Sequence, residues 1–146
     1  MYTAKGDVVQ RVIVDTDIGM GTPGVDIDDG FALFLGLASD KVEIEHITTC
    51  FGNVTPDVAK KNVLNALEVA GFEIPVTEGA RYALNKNAEI PENKASEKIA
   101  ELVNGSPKKY VILLIAPQTN LATAIIKYPE VAKNVKEIVM MGGVAK

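Results

Sequence analysis

With 146 residues, 47% of them hydrophobic and 23% charged, the chain has the composition of a soluble globular domain large enough to bury a core. Its net charge is −4 and no Lys/Arg cluster stands beside a row of aromatics, which argues against nucleic acid as a partner. No apolar run approaches the roughly 18 residues of a membrane span, so no membrane partner is expected. The single cysteine, Cys50, cannot form an internal disulfide, and "MYTAKGDVVQ" lacks the apolar centre of a signal peptide, so the default expectation is a cytoplasmic compartment.

In chain order, "GDVVQ" reads as a lead-in and "RVIVDT" as a short β-branched run, a buried strand. "DDGFALFLGLAS" carries apolar residues at helical spacing, and "KVEIEHITTCFGN" alternates before ending at Gly52-Asn53, a second strand. In "TPDVAKKNVLNALEVAGF", Thr55 suits the N-cap, Pro56 the first helical position and Asp57 the first turn. Val58, Val63, Leu64, Leu67 and Val69-Ala70 form the expected apolar face, and Gly71 stops the helix. "IPVTEGA" suits a short strand, residues 81–93 a loop that carries Arg81 and Tyr82, and "KASEKIAELVNG" a surface helix closed by Gly105. "KYVILLIAP" is apolar almost throughout, as a strand covered on both faces must be. "TNLATAIIKYPEVAKN" reads as a helix that Thr119-Asn120 are placed to cap and that breaks near Pro129, and "VKEIVMMGG" as a further strand.

This alternation predicts an α/β fold, an open and mostly parallel sheet with helices on both faces and right-handed crossovers, with residues 1–146 forming one α/β domain. Ligands of such sheets lie beyond the carboxyl ends of the strands. Asp15 and Asp17, Asn53, and Pro117-Gln118-Thr119-Asn120 should therefore converge there.

Asp15 and Asp17 close the first strand, two apart and so pointing the same way if the extended geometry persists, and Asp26, Asp28 and Asp29 follow a glycine-rich loop just where the helical pattern begins. A helix N-terminus relieves about 0.3–1 kcal/mol per carboxylate, too little for such a cluster. A bound cation would suffice, and oxygen ligands without His or Cys favour Ca2+ or Mg2+. The bland alternative is a solvated loop whose aspartates form turns and cap the helix. The spacing is not that of an EF-hand, which also lacks the preceding strand.

"VDTDIG…DIDDGFAL" resembles the N-terminal signature of the nucleoside hydrolases, the inosine/uridine-preferring N-ribohydrolases, and "ITTCFGNVTPDVAKKNVLNAL" and "APQTNLATAIIKYPEVAKNVKEIVMMGG" agree in order with the same family. The resemblance implies a Ca2+-dependent hydrolase of the N-glycosidic bond of ribonucleosides, built on a Rossmann-like core. It implies that Asp17 is a metal ligand and the base that activates water, that Asp29 is a second ligand, and that the main-chain carbonyl of Thr119 is a third. It implies that Asp28 and Asn53 hold the ribose hydroxyls, that Met141 approaches the sugar, and that Asp15 supports the cluster from behind.

Ten residues, "IGMGTPGVDI", separate Asp17 from Asp28, more than the usual form of the motif has; Gly19, Gly21, Gly24 and Pro23 suggest a looped-out turn across which the carboxylates still meet. Asp26 is then either a substitute for Asp28 or a bystander. The resemblance implies a full length about twice this one, so the chain is expected to be truncated, corresponding to the N-terminal half without the final Asp ligand or the His that protonates the leaving base. His46 does not match that His and reads as a packed strand residue. Weaker calcium binding, little turnover, and either self-association or a complementing C-terminal half are the corresponding expectations.

Two other readings compete. Haloacid-dehalogenase-like Mg-dependent phosphatases also begin with a strand and Asp-x-Asp, which would make Asp15 a nucleophile and Asp17 an acid/base, but this leaves "DIDDG", "FGN" and "PQTNLA" without roles. The third reading is a non-catalytic fragment that binds calcium or ribose.

Overall fold

A computed structural model describes residues 9–85 and 89–143; parts of the lead-in and of the 81–93 loop lie outside the described residues. The elements run β1 (Gln10–Thr16), α1 (Asp28–Leu37), β2 (Val42–Thr49), α2 (Pro56–Ala70), β3 (Val76–Glu78), α3 (Lys94–Gly105), β4 (Tyr110–Leu114), α4 (Thr119–Lys127), α5 (Glu130–Asn134) and β5 (Glu137–Met140). The strands form one five-stranded sheet in the order β3-β2-β1-β4-β5, every pairing parallel. This is the α/β fold expected from the sequence.

Alternation along β1 explains why both faces need helices. Val12 and Val14 join a core with Leu33 of α1 and Val63 and Leu67 of α2. Ile13 points the other way, into a core with Ile99 and Val103 of α3, Leu121 of α4 and Val131 of α5. The chain travels from β1 outward to β3 on the first face, then returns through α3 on the second face to place β4 on the other side of β1. The strand order therefore reverses between β1 and β4, and the two carboxyl ends part there to leave a crevice.

Local signals match most element ends. Thr55 is the N-cap residue of α2, Pro56 starts the helix, and Gly71 ends it in the left-handed conformation with φ 75°. The break expected near Pro129 separates α4 from α5. The apolar face of α2 differs from expectation: Leu64 and Val69 are 47% and 83% exposed, while Ala59, Asn62 and Ala66 are buried. Small alanines let this helix lie close to the sheet, so the buried stripe is narrower than the apolar residues alone suggest. At α3, Asn93 is the N-cap and accepts a hydrogen bond from the Ser96 amide at 3.1 Å.

Ile112 is fully buried in the middle of β4 against the α3–α5 face. Ile112→Ala is expected to cost about 2–5 kcal/mol in urea unfolding. Val69→Ala, at an exposed position, should stay within about 0.5 kcal/mol.

Candidate active site

The carboxyl end of β1 carries the acidic residues, and its neighbours fix where each one points. Asp15, the penultimate strand residue, is wholly buried. Its Oδ1 accepts hydrogen bonds from Thr48 Oγ1 on β2 at 2.6 Å and from Asn120 Nδ2 on α4 at 2.7 Å. Its Oδ2 is buried without a hydrogen-bond partner. Burial, opposed by those two bonds and reinforced by the nearby charges of Asp17 and Asp29, pushes the Asp15 carboxyl up to about 7.

Asp17 lies past the end of the strand. Its Oδ2 accepts the Asn53 amide at 2.7 Å, and its own amide donates to Asp29 Oδ2 at 3.3 Å. Gly52 makes this approach possible, since a Cβ there would fall inside the Asp17 carboxylate. Asp29, in the first turn of α1, is 4% exposed and also accepts from Thr16 Oγ1. Burial, countered by the Thr16 bond and assisted by Asp17 and Asp28, raises the Asp29 carboxyl to about 6.

The ten-residue segment between Asp17 and Asp28 folds back on itself, as its glycines suggested. The Thr22 amide donates to the Gly19 carbonyl at 2.9 Å, and a Cβ on Gly19 would strike the Asp26 carbonyl at 2.6 Å. Asn62 of α2 props the loop by donating to the Ile18 carbonyl and to Thr22 Oγ1, each at 3.1 Å. Asp17 and Asp29 meet across it.

Asp17, Asp28, Asp29, Asn53 and Met141 line one open cleft of about 590 Å³, together with Asp26, Pro117 and Gln118. Met141 is held there by its amide, which donates to the Leu114 carbonyl at 2.9 Å. Asp15 and Thr119 are not among the lining residues. Asp15 and Asp17 do not share a direction, because β1 ends at Thr16: Asp15 turns inward toward α4 while Asp17 opens to the cleft. Thr119 is 9% exposed at the start of α4 and borders a separate hollow beside Ala80 and Asn93. Among the described residues no three Asp, Glu, His or Cys side chains converge closely enough to hold an ion together. The chemistry of the donors nonetheless suits a hard cation: the bonds described for Asp17 and Asp29 occupy one oxygen of each, in a site without His or Cys.

A phosphatase nucleophile must be reachable, and Asp15 at 0% exposure, bonded into β2 and α4, is not. His46 is packed as expected; its Nε2 lies 2.9 Å from Thr77 Oγ1, and burial, then Lys98, lowers its pKa. Burial and the Asp15 charge push the Cys50 thiol up to about 12, so it is held as an unreactive thiol.

The residue that sequence reasoning undervalued is Asn120. It does not cap α4, whose N-cap is Gln118. Fully buried, it donates to Asp15 Oδ1 and to the Thr49 carbonyl at 2.9 Å, and its Oδ1 accepts from the Ala80 amide and from Asn93 Nδ2, both at 2.9 Å. A Cβ on Gly79 would collide with it. The adjacent threonines Thr48 and Thr49, which break the alternation of β2 at its carboxyl end and are both fully buried, were the available signal that polar partners were needed at this depth.

Residues 12–146 match the model of the inosine-uridine preferring nucleoside hydrolases, and the chain belongs to that family. It is 35% identical to a probable uridine nucleosidase 2 of Arabidopsis thaliana, over 92% of this chain and 47% of that one. It is 32% identical to a pyrimidine-specific ribonucleoside hydrolase of Citrobacter koseri, over 80% and 45%. Among solved structures it is similar to a plant nucleoside hydrolase, with TM-score 0.78 and 31% identity over 92% of this chain and 48% of that one. A purine-preferring ribonucleoside hydrolase from Gardnerella vaginalis superposes with TM-score 0.79 at 27% identity, over 92% and 49%. The chain spans about half the length of the curated relatives it matches.

The raised Asp15 and Asp29 carboxyls fix the sign of a pH effect. Between about pH 4, where an unfolded Asp ionises, and about 7, the folded chain binds more protons than the unfolded chain, so stability falls as pH rises. In the presence of a chelator, urea unfolding is expected to show this decline, and Asp15→Asn should flatten it. An unchanged slope in Asp15→Asn would contradict the assignment.

Proposed function

We propose that the chain carries the metal- and ribose-binding part of a ribonucleoside hydrolase, which cleaves the N-glycosidic bond to give free base and ribose. One observation carries the reading: Asp17, Asp28, Asp29, Asn53 and Met141 line a single cleft at the point where the strand order reverses. Asp17, Asp29 and the Thr119 carbonyl are the proposed ligands of Ca2+. When bound, calcium supplies positive charge that orients sugar hydroxyls and acidifies water.

The chain's own residues supply the rest. Asp17, anchored through one oxygen by the Asn53 amide, keeps the other available to take a proton from the attacking water. Asp28 and Asn53, both exposed to the cleft, accept and donate hydrogen bonds to the ribose hydroxyls. Met141 lies against the sugar. Departure of the base leaves positive charge on the ribose, and the surrounding carboxylates stabilise it. Asp15 supports the cluster from behind as a positioning residue.

Relatives named for uridine, pyrimidine and purine nucleosides support ribonucleosides as the substrate class. A calcium- and ribose-binding chain with little turnover of its own is the second reading, favoured by the half-length match. Low, calcium-dependent release of reducing sugar from uridine or inosine is expected. Asp17→Asn should lower it by about 10²-fold or more, the usual worth of a positioned general base. Turnover that survives both chelation and Asp17→Asn would overturn the mechanism. No release at all, with calcium binding intact, would favour the binding reading.

A further inference from the structure

The loop between β2 and α2 carries Asn53, whose amide anchors Asp17, so the course of that loop decides where the Asp17 carboxylate is held. Gly52 and Asn53 themselves are exposed, and the loop takes its position from the residues just before them. The Cys50 amide donates to the Thr16 carbonyl at 3.0 Å, which extends the pairing with β1 by one residue. The Thr49 carbonyl accepts from Asn120 Nδ2 at 2.9 Å. The Phe51 amide donates to the Ala80 carbonyl at 2.9 Å, and the Ala80 amide in turn donates to Asn120 Oδ1 at 2.9 Å. Asn120 therefore grips the loop twice, directly at Thr49 and through Ala80 at Phe51.

Only one orientation of that side chain satisfies its surroundings. The two N–H groups of Nδ2 face the acceptors Asp15 Oδ1 and the Thr49 carbonyl, while Oδ1 faces the donors Ala80 N and Asn93 Nδ2. A flipped amide would set oxygen against oxygen and N–H against N–H. An ionised Asp offers no donor, and a longer Gln has no room at a position that is 0% exposed and already closed by Gly79. The same pair of N–H groups thus spans from Asp15, behind the acidic cluster, to the backbone of the loop beside it.

We infer that Asn120 is a positioning residue of the site: it sets the Asn53 loop, and through the Asn53 amide the Asp17 carboxylate, against the cleft. Asn120 is not among the residues that line the cleft, so its effect is transmitted by Thr49, Ala80 and Phe51. Thr48 gives Asp15 Oδ1 a second donor, so the consequence specific to Asn120 falls on the loop. The inference deepens the reading of the cleft as a metal and ribose site, and rests on that reading only for its effect on calcium.

Amide hydrogen exchange of the chain in chelator, read residue by residue by NMR, is the test. Asn120→Asp keeps the size and the oxygen facing Ala80 and Asn93 but removes both donors. The Phe51 and Asn53 amides should then exchange about tenfold faster or more. Asn93→Ser retains a capping side chain for α3 but takes one donor from Asn120, and should speed the same amides about threefold. It decides the matter should Asn120→Asp fail to fold. Val131→Ala, a buried truncation in α5, should lower the melting temperature without moving these two amides, because loop amides exchange through local opening. In calorimetry, calcium affinity should fall about tenfold in Asn120→Asp. No calcium binding by the unaltered chain would strike the reading of the cleft alone, and the exchange rates would still decide this inference. Unchanged exchange at Asn53 in every Asn120 or Asn93 variant that folds, or an equal acceleration in Val131→Ala, would overturn it.

Discussion

Three carboxylates withdrawn from water at one strand end are the constraint around which this molecule is organised. Asp15, Asp17 and Asp29 are at most 6% exposed. Burying even one unpaired charge costs several kcal/mol, and these three also repel. The fold relieves the cost in part. Thr48 and Asn120 donate to Asp15, the Asn53 amide to Asp17, and Thr16 to Asp29, while the α1 N-terminus adds its small favourable field. No Lys, Arg or His bonds to any of the three among the described residues. Asp15 retains an oxygen with no partner. Such an arrangement holds protons or recruits positive charge.

The scaffold keeps the cluster in place by polar rather than apolar means. Asn120 makes four hydrogen bonds that join β1, β2, the segment after β3 and the N-cap of α3. A buried amide with every bond satisfied fixes its partners strongly, and a half-satisfied one would be worse than none. Gly52 and Gly79 are required for the opposite reason, because side chains there would occupy the space of Asp17 and Asn120. Asn62 extends the same device to the glycine-rich loop, tying it to α2. The site is thus part of the folded core at its closed end and opens at the cleft lined by Asp17, Asp28 and Asn53.

Much of this was legible in the sequence, for physical reasons that can be named. The period-two apolar runs and the helical spacing fixed the order of elements, and the Pro56 and Gly71 signals placed the ends of α2. The acidic bend identified the cleft because carboxylates seldom gather where nothing offsets them. The misreadings came from tertiary context. Val69 looks like a core residue but lies on the outer side of α2, and the i, i+2 spacing of Asp15 and Asp17 fails because the strand stops between them. Asn120 looked like a cap because its four partners come from segments 27 to 105 residues away, a relation that no local pattern encodes.

Calcium titration of the chelator-stripped chain by isothermal calorimetry tests the central claim most directly, with Asp17→Asn and Asp26→Asn measured alongside. One equivalent of Ca2+ is expected to bind, with affinity falling about tenfold or more in Asp17→Asn and changing far less in Asp26→Asn. Equal binding by the unaltered chain and Asp17→Asn, or no calcium binding to either, would mean that the buried carboxylates serve the fold alone.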